Sequence, residues 1–147
     1  MKTQNELKLI MPSRSANESL ARVSVAALAT QLDPTVEEIC DIKTSVSEAV
    51  TNCIVHAYKN TLGVINITAR ILAGNILYIR IKDNGCGITD VKQAMEPMFT
   101  TAEGEERAGL GFAVMQSFMD NLKVTSRIGR GTTVTMTKRI NSRSGNE

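Results

Sequence analysis

Residues 48–58 read Glu48-Ala49-Val50-Thr51-Asn52-Cys53-Ile54-Val55-His56-Ala57-Tyr58, and two patterns run through them at once. Ala49, Val50, Cys53, Ile54 and Ala57 continue an apolar face that begins with Val36, Ile39, Ile42 and Val46. That helical period predicts a long helix opening at Pro34 to Thr35 and closed by Asn60 to Gly63. Glu48, Asn52 and His56 recur at i, i+4 and i+8, so they form a polar stripe beside the apolar face rather than on it. A solvated helix face has the same appearance, so the stripe gains meaning only from the loops around it.

Upstream, Leu7, Leu9 and Met11 alternate with Glu6, Lys8 and Ile10 until Pro12, the pattern of a short edge strand. A helix capped by Ser15 or Asn17 is predicted through Leu20, Val23, Ala27 and Leu28, stopping near Asp33-Pro34. Downstream, Val64 to Leu72 and Ile76 to Lys82 flank Ala73-Gly74-Asn75, which reads as an antiparallel hairpin with a short glycine-containing loop. Asp83 to Gly87 is a glycine-bearing loop, and Pro97 to Gly109 is polar and aperiodic, a mobile lid. A helix from Leu110 to Met119, a strand Lys123 to Ser126, a turn at Gly129 to Gly131 and a strand Thr132 to Arg139 complete the core elements. Helices grouped rather than alternating with strands favour an α+β fold over a doubly wound parallel sheet.

With 147 residues, 42% of them apolar, the chain can bury one substantial core, so residues 1–140 are expected to form one domain and 141–147 a disordered tail. A net charge of +2, scattered along the chain, gives no footprint for nucleic acid or an anionic membrane. Aromatic content of 3% without Trp excludes stacking platforms for single strands. Cys40, Cys53 and Cys86 are odd in number and lack metal-ligand spacing, and two fall on the long helix, which suits reduced, buried thiols in a cytoplasmic protein. The amino terminus MKTQNELKLIM has no signal-peptide apolar core, and no run of about 18 apolar residues occurs, so a soluble intracellular protein is expected.

Three loops can carry chemistry. Asp83-Asn84-Gly85-Cys86-Gly87 follows a strand, where an Asp can accept from a base amine and glycines let backbone approach a flat ligand. Gly109-Leu110-Gly111 directly precedes a helix, whose free amides and dipole favour phosphate. Gly131-Thr132 offers a hydroxyl at the start of the last strand. Each alone reads equally well as an ordinary turn.

Taken in order, EAVTN on a helix, DNGCG after a strand, GLG before a helix and GTT entering a strand resemble the four boxes of the gyrase, Hsp90, histidine kinase and MutL ATPase superfamily, over nearly the whole chain. EAVTNCIVHAY, PMFTT and RAGLGFAVMQSFMD are similar to the bacterial anti-sigma F factors, a family of serine protein kinases. The resemblance implies a Bergerat-type ATP-binding sandwich, with a mixed, mainly antiparallel sheet covered on one face by three main helices. It implies ATP/ADP and Mg²⁺ as cofactors, with Asn52 holding the metal through its side-chain oxygen. Asp83 would read the adenine amine with support from Thr132. Gly85, Gly87 and Gly109-Leu110-Gly111 would bring backbone close, and Thr100, Thr101 and Arg107 on the lid would reach the phosphates, Arg107 at the γ-phosphate.

Glu48 would take a proton from the attacking hydroxyl. Residue chemistry leaves water and serine both open as acceptor; the family likeness selects serine. The implied partners are a sporulation sigma factor that is inhibited, an anti-anti-sigma protein that is phosphorylated and inactivated, and a second copy in a homodimer. Arg22, among apolar neighbours on the first helix, is the candidate partner-binding residue. Competing readings are a nucleotide-dependent binding module without transfer, which leaves Glu48 unused, and an anti-sigma factor of a related stress-response switch. A severed histidine-kinase catalytic domain is disfavoured, because the sole His lies within the nucleotide-box helix. Cys86 reads as inert, since Asp83 nearby offers no thiolate stabilisation; His56 reads as structural, and the methionines from Met95 to Met119 as core filling.

Overall fold

The computed structural model describes residues 1–59, 61–96 and 111–141. The expected lid, with Thr100, Thr101 and Arg107, lies outside them, as do Gly109 and Leu110 and the tail beyond Asn141.

Five strands form one sheet in the order β1-β2-β3-β5-β4. β1 (Thr3–Pro12) is the predicted edge strand, pairing among the described strands only with β2 (Val64–Leu72). β2 turns into β3 (Ile76–Asp83) through a loop with Gly74 and Asn75 at positive φ, and β5 (Gly131–Arg139) lies between β3 and β4 (Asn121–Arg127). All of these pairings are antiparallel, so the mainly antiparallel sheet expected has no parallel member among the described strands.

α1 (Asn17–Ala29), α2 (Val36–Asn52) and α4 (Gly111–Phe118) cover one face of the sheet. Ile42, Val46 and Val50 of α2 and Val25 of α1 are fully buried with Ile65, Ile67, Leu77, Ile79, Ile81 and Met136 of the sheet. Each such side chain contributes about 1.5–3 kcal/mol by leaving water. Met115 and Met119 are buried too, so these two methionines fill core. The opposite face is polar: Glu6 pairs with Arg70, whose guanidinium lies 5.4 Å from the Tyr78 ring centroid.

Local chemistry sets the helix ends. Thr35 caps α2 in a full capping box with Glu38, and the Glu38 carboxylate also accepts from the Asn141 N–H at 2.8 Å. α1 starts differently from expectation. Neither Ser15 nor Asn17 caps it; Ala16 holds the cap position, and the Asn17 amide instead donates to the Pro12 carbonyl, tying the helix to the end of β1. A short 3₁₀ turn extends α1 to Leu32, and Asp33, at φ 52, ends it before Pro34. Cys40 is exposed rather than buried, because it faces away from the α2 stripe that carries Ile42, Val46 and Val50. No described helix is long and apolar enough to cross a membrane.

Candidate functional site

Beyond Asn52 the long helix changes pitch. Cys53–Ala57 form a π-helical turn, so the straight i, i+4, i+8 stripe ends at Asn52 and His56 enters on a wider turn. Tyr58 then leaves the helix and is locked in place. Its hydroxyl donates to the Val64 carbonyl at 2.7 Å and accepts the Asn84 N–H at 2.6 Å, while its ring fills the space where Gly63 lacks a Cβ. Burial, chiefly, pushes the Tyr58 phenol above its ordinary value.

This strut fixes the loop after β3. Asp83, 4% exposed, accepts the Gly85 N–H at 2.9 Å and the Thr132 N–H at 3.1 Å on the same oxygen. Burial first, then the charge of the Asp83 carboxylate, pushes the Cys53 thiol well above its usual range. Two glycines permit the close fit. A Cβ on Gly87 would strike the Arg127 carbonyl and one on Gly131 the Asp83 carbonyl, and both residues have positive φ, 79° and 113°. The β4–β5 turn is thereby seated on the loop, and the Gly129 N–H donates to the Cys86 carbonyl at 2.8 Å.

A cavity of about 440 Å³ opens at this end of the sheet. Asn52, Cys53 and His56 stand on one wall, Asp83 with Cys86 to Asp90 on a second, and Gly111, Phe112, Thr132 and Val134 are among the residues that complete the lining. Short α3 (Val91–Ala94), absent from the sequence expectation and capped by Asp90, contributes Ala94. Glu48 lies just behind the Asn52 wall, buried at 4% exposure. A Cβ on Gly111 would sit 3.3 Å from Glu48 Oε2 and 3.3 Å from both amide heavy atoms of Asn52, so the start of α4 closes directly over these two side chains.

Asn52, Asp83, Gly87, Gly111 and Thr132 thus share one cavity, with Glu48 adjacent. Gly85 is not on its wall; it presses instead against the Ala57 carbonyl at the back of the loop. Arg22 is elsewhere, half-exposed on α1 and 3.4 Å from Glu18, with exposed Leu20 and Val23 nearby in sequence. Tyr58, Cys53 and Ser126 belong to the site's support; Cys53 is buried as its place on the apolar face predicts, whereas the roles of Tyr58 and Ser126 went unnoticed in the sequence. For Tyr58 and Ser126 the partners are 26 and 38 residues away, beyond any local pattern.

The oxygen donors at the Gly111 end suit a hard cation. Among the described residues no group of three or more His, Cys, Asp or Glu could hold a metal ion. The Asp83 end is different: apolar walls enclose a carboxylate and a hydroxyl, as a flat base with an amine would require.

The family model described as the histidine kinase-like ATPase domain matches residues 11–138. The anti-sigma F factor of Thermoanaerobacter sp. strain X514 is 57% identical over 142 residues, 97% of this chain and 99% of that one. That of Caldanaerobacter subterraneus subsp. tengcongensis is 59% identical over 140 residues, 95% and 97% of the two chains. Among solved structures, the RsbU and RsbW domains of a Mycobacterium tuberculosis protein match with a TM-score of 0.68 at 17% identity, over 93% of this chain and 33% of that one, a likeness of fold alone.

Proposed function

The chain belongs to the anti-sigma F factor family, within the histidine kinase-like ATPase domains, and from that premise we propose that it binds and inhibits a sporulation sigma factor and transfers phosphate from ATP to a serine of an anti-anti-sigma protein, inactivating it. The observation that carries this reading is the meeting of Glu48, Asn52 and the start of α4 at Gly111.

Adenine enters between the apolar walls and gives its amine to Asp83, whose carboxylate is oriented by the Gly85 and Thr132 N–H groups. The polyphosphate then lies toward Gly111, where the first amides of α4 and its positive dipole end favour negative charge. Asn52 would hold Mg²⁺ through its side-chain oxygen. When bound, the ion supplies neutralisation of the phosphate oxygens. Thr100, Thr101, Gly109, Leu110 and Arg107 would complete the phosphate cradle, Arg107 as the guanidinium donor at the γ-phosphate.

Glu48 is the group for the acceptor. Its carboxylate takes the proton of the incoming serine hydroxyl as the serine oxygen bonds to the γ-phosphorus and the bond to the β-bridging oxygen breaks, releasing ADP. Burial beside Asn52 keeps Glu48 close to the phosphate and out of bulk water. Arg22, with Leu20 and Val23 exposed beside it on α1, is the proposed contact for protein partners. The active species is proposed to be a cytoplasmic homodimer.

Incubation with γ-labelled ATP, Mg²⁺ and the anti-anti-sigma protein tests the reading. Labelled phosphoserine on that partner is expected. Nucleotide binding without any transfer would leave only a binding module.

A further inference from the structure

Ser126 lies within β4, opposite Thr132 in the register with β5. Its hydroxyl oxygen has three polar neighbours: the Ile88 N–H at 2.8 Å, the Gly131 carbonyl at 3.0 Å and Thr132 Oγ1 at 2.8 Å. A serine hydroxyl has one proton and two lone pairs. The carbonyl can only accept, so the Ser126 proton goes to Gly131. The Ile88 N–H occupies one lone pair, and the second is left for the proton of Thr132. No other assignment makes all three contacts hydrogen bonds. If the Ser126 proton turned to Thr132, two acceptor oxygens would face each other 3.0 Å apart at Gly131.

The consequence lies across the wall. Thr132 lines the cavity, and with its proton held by Ser126 it can offer a ligand only lone pairs. Beside it Asp83, which takes the Gly85 and Thr132 N–H groups on one carboxylate oxygen, is likewise an acceptor. We propose that Ser126 is a specificity-determining positioning residue: by holding the Thr132 proton it makes the base end of the cavity an all-acceptor wall, which admits a purine with an exocyclic amine and rejects one with a 6-oxo group. The inference rests on the ATP-binding reading above and deepens it.

The test compares ATP with inosine triphosphate, which carries oxygen where ATP carries the amine. Calorimetric affinities are measured for wild type, Ser126→Thr and Ser126→Val, an isosteric pair that differ in the hydroxyl and suit a strand equally. Wild type and Ser126→Thr should prefer ATP. In Ser126→Val the freed Thr132 proton can donate to a 6-oxo group, so the ATP to inosine triphosphate ratio should narrow roughly tenfold, mostly by tighter binding of the oxo nucleotide. Ser126→Ala, which adds no volume, repeats the comparison if the Val variant melts early. An unchanged ratio in the hydroxyl-free variants, or an equal loss for both nucleotides, overturns the proposal and leaves Ser126 as structural support. Wild type binding both nucleotides equally also overturns it, with the ATP reading intact; wild type binding neither sinks the ATP reading itself.

Discussion

Tyr58→Phe removes a single oxygen yet cuts two ties at once. That oxygen donates to Val64 at 2.7 Å and accepts from Asn84 at 2.6 Å, so it joins the turn after α2, the start of β2 and the Asp83 loop. Tyr58 is 9% exposed, so water cannot fully replace the lost partner. At about 0.5–1.5 kcal/mol net per bond, and more where a buried partner is stranded, the variant should lose about 2–3 kcal/mol. For a chain of this size that corresponds to a melting drop of about 4–12 °C. ATP affinity should fall several-fold as well, because the Asn84 N–H that is released adjoins Asp83. The pH dependence follows from the raised phenol. A group with a raised folded value contributes stability that is whole below its unfolded value, here 10.0, and is lost as pH rises through the folded one. The gap between wild type and variant should therefore be constant around neutrality and close above pH 10.0. Thermal unfolding followed across this range, with calorimetry for ATP, reads all of it. A variant that melts within about 1 °C of wild type at neutral pH and binds ATP as well would refute the strut, since even one lost bond exceeds that.

Other outcomes follow from the same geometry. Gly131→Ala, at φ 113° against the Asp83 carbonyl, should destabilise by about 1–3 kcal/mol or more and weaken ATP binding. Gly74→Ala, at φ 88° with open space around it, should cost only about 1 kcal/mol and leave ATP binding alone; equal effects at the two glycines in melting and affinity would contradict the close-approach argument. Iodoacetamide should label exposed Cys40 and Cys86 well before Cys53, whose burial raises its thiol; peptide mapping by mass spectrometry that finds Cys53 modified first would contradict this. Asp83→Asn replaces an acceptor by a group that can donate, so preference for ATP over GTP should shrink by about tenfold, and an undiminished preference in competition binding would remove Asp83 from base reading.

How far the sequence reached depended on the range of the interaction. The alternation of Leu7, Leu9 and Met11 before Pro12 located β1, and Gly74-Asn75 between two apolar runs located the β2–β3 hairpin, since both signals are local. The Asp83 loop was equally legible from its glycines after a strand. The capping box at Thr35 and Glu38 was also written plainly, as Thr-x-x-Glu, but went unread. Asn17 misled, because a good capping residue found a better partner in the Pro12 carbonyl across a tight corner. The π turn at Cys53–Ala57 leaves no trace in hydrophobic period, since a widened turn shifts a stripe by only part of a residue spacing. Ser126 lay in a predicted strand with nothing to distinguish it. Its meaning comes only from strand register and from the approach of Ile88.

The central claim is that Glu48 serves the transfer step rather than nucleotide binding. Glu48→Gln keeps the shape of the side chain beside Asn52 and Gly111 while removing the base, so single-turnover transfer of γ-phosphate to the anti-anti-sigma serine, measured beside ATP affinity, separates the two roles. Transfer should slow by about 10²–10⁴-fold with ATP affinity within about twofold of wild type. Unchanged transfer, or a loss of rate matched by the loss of affinity, would contradict it.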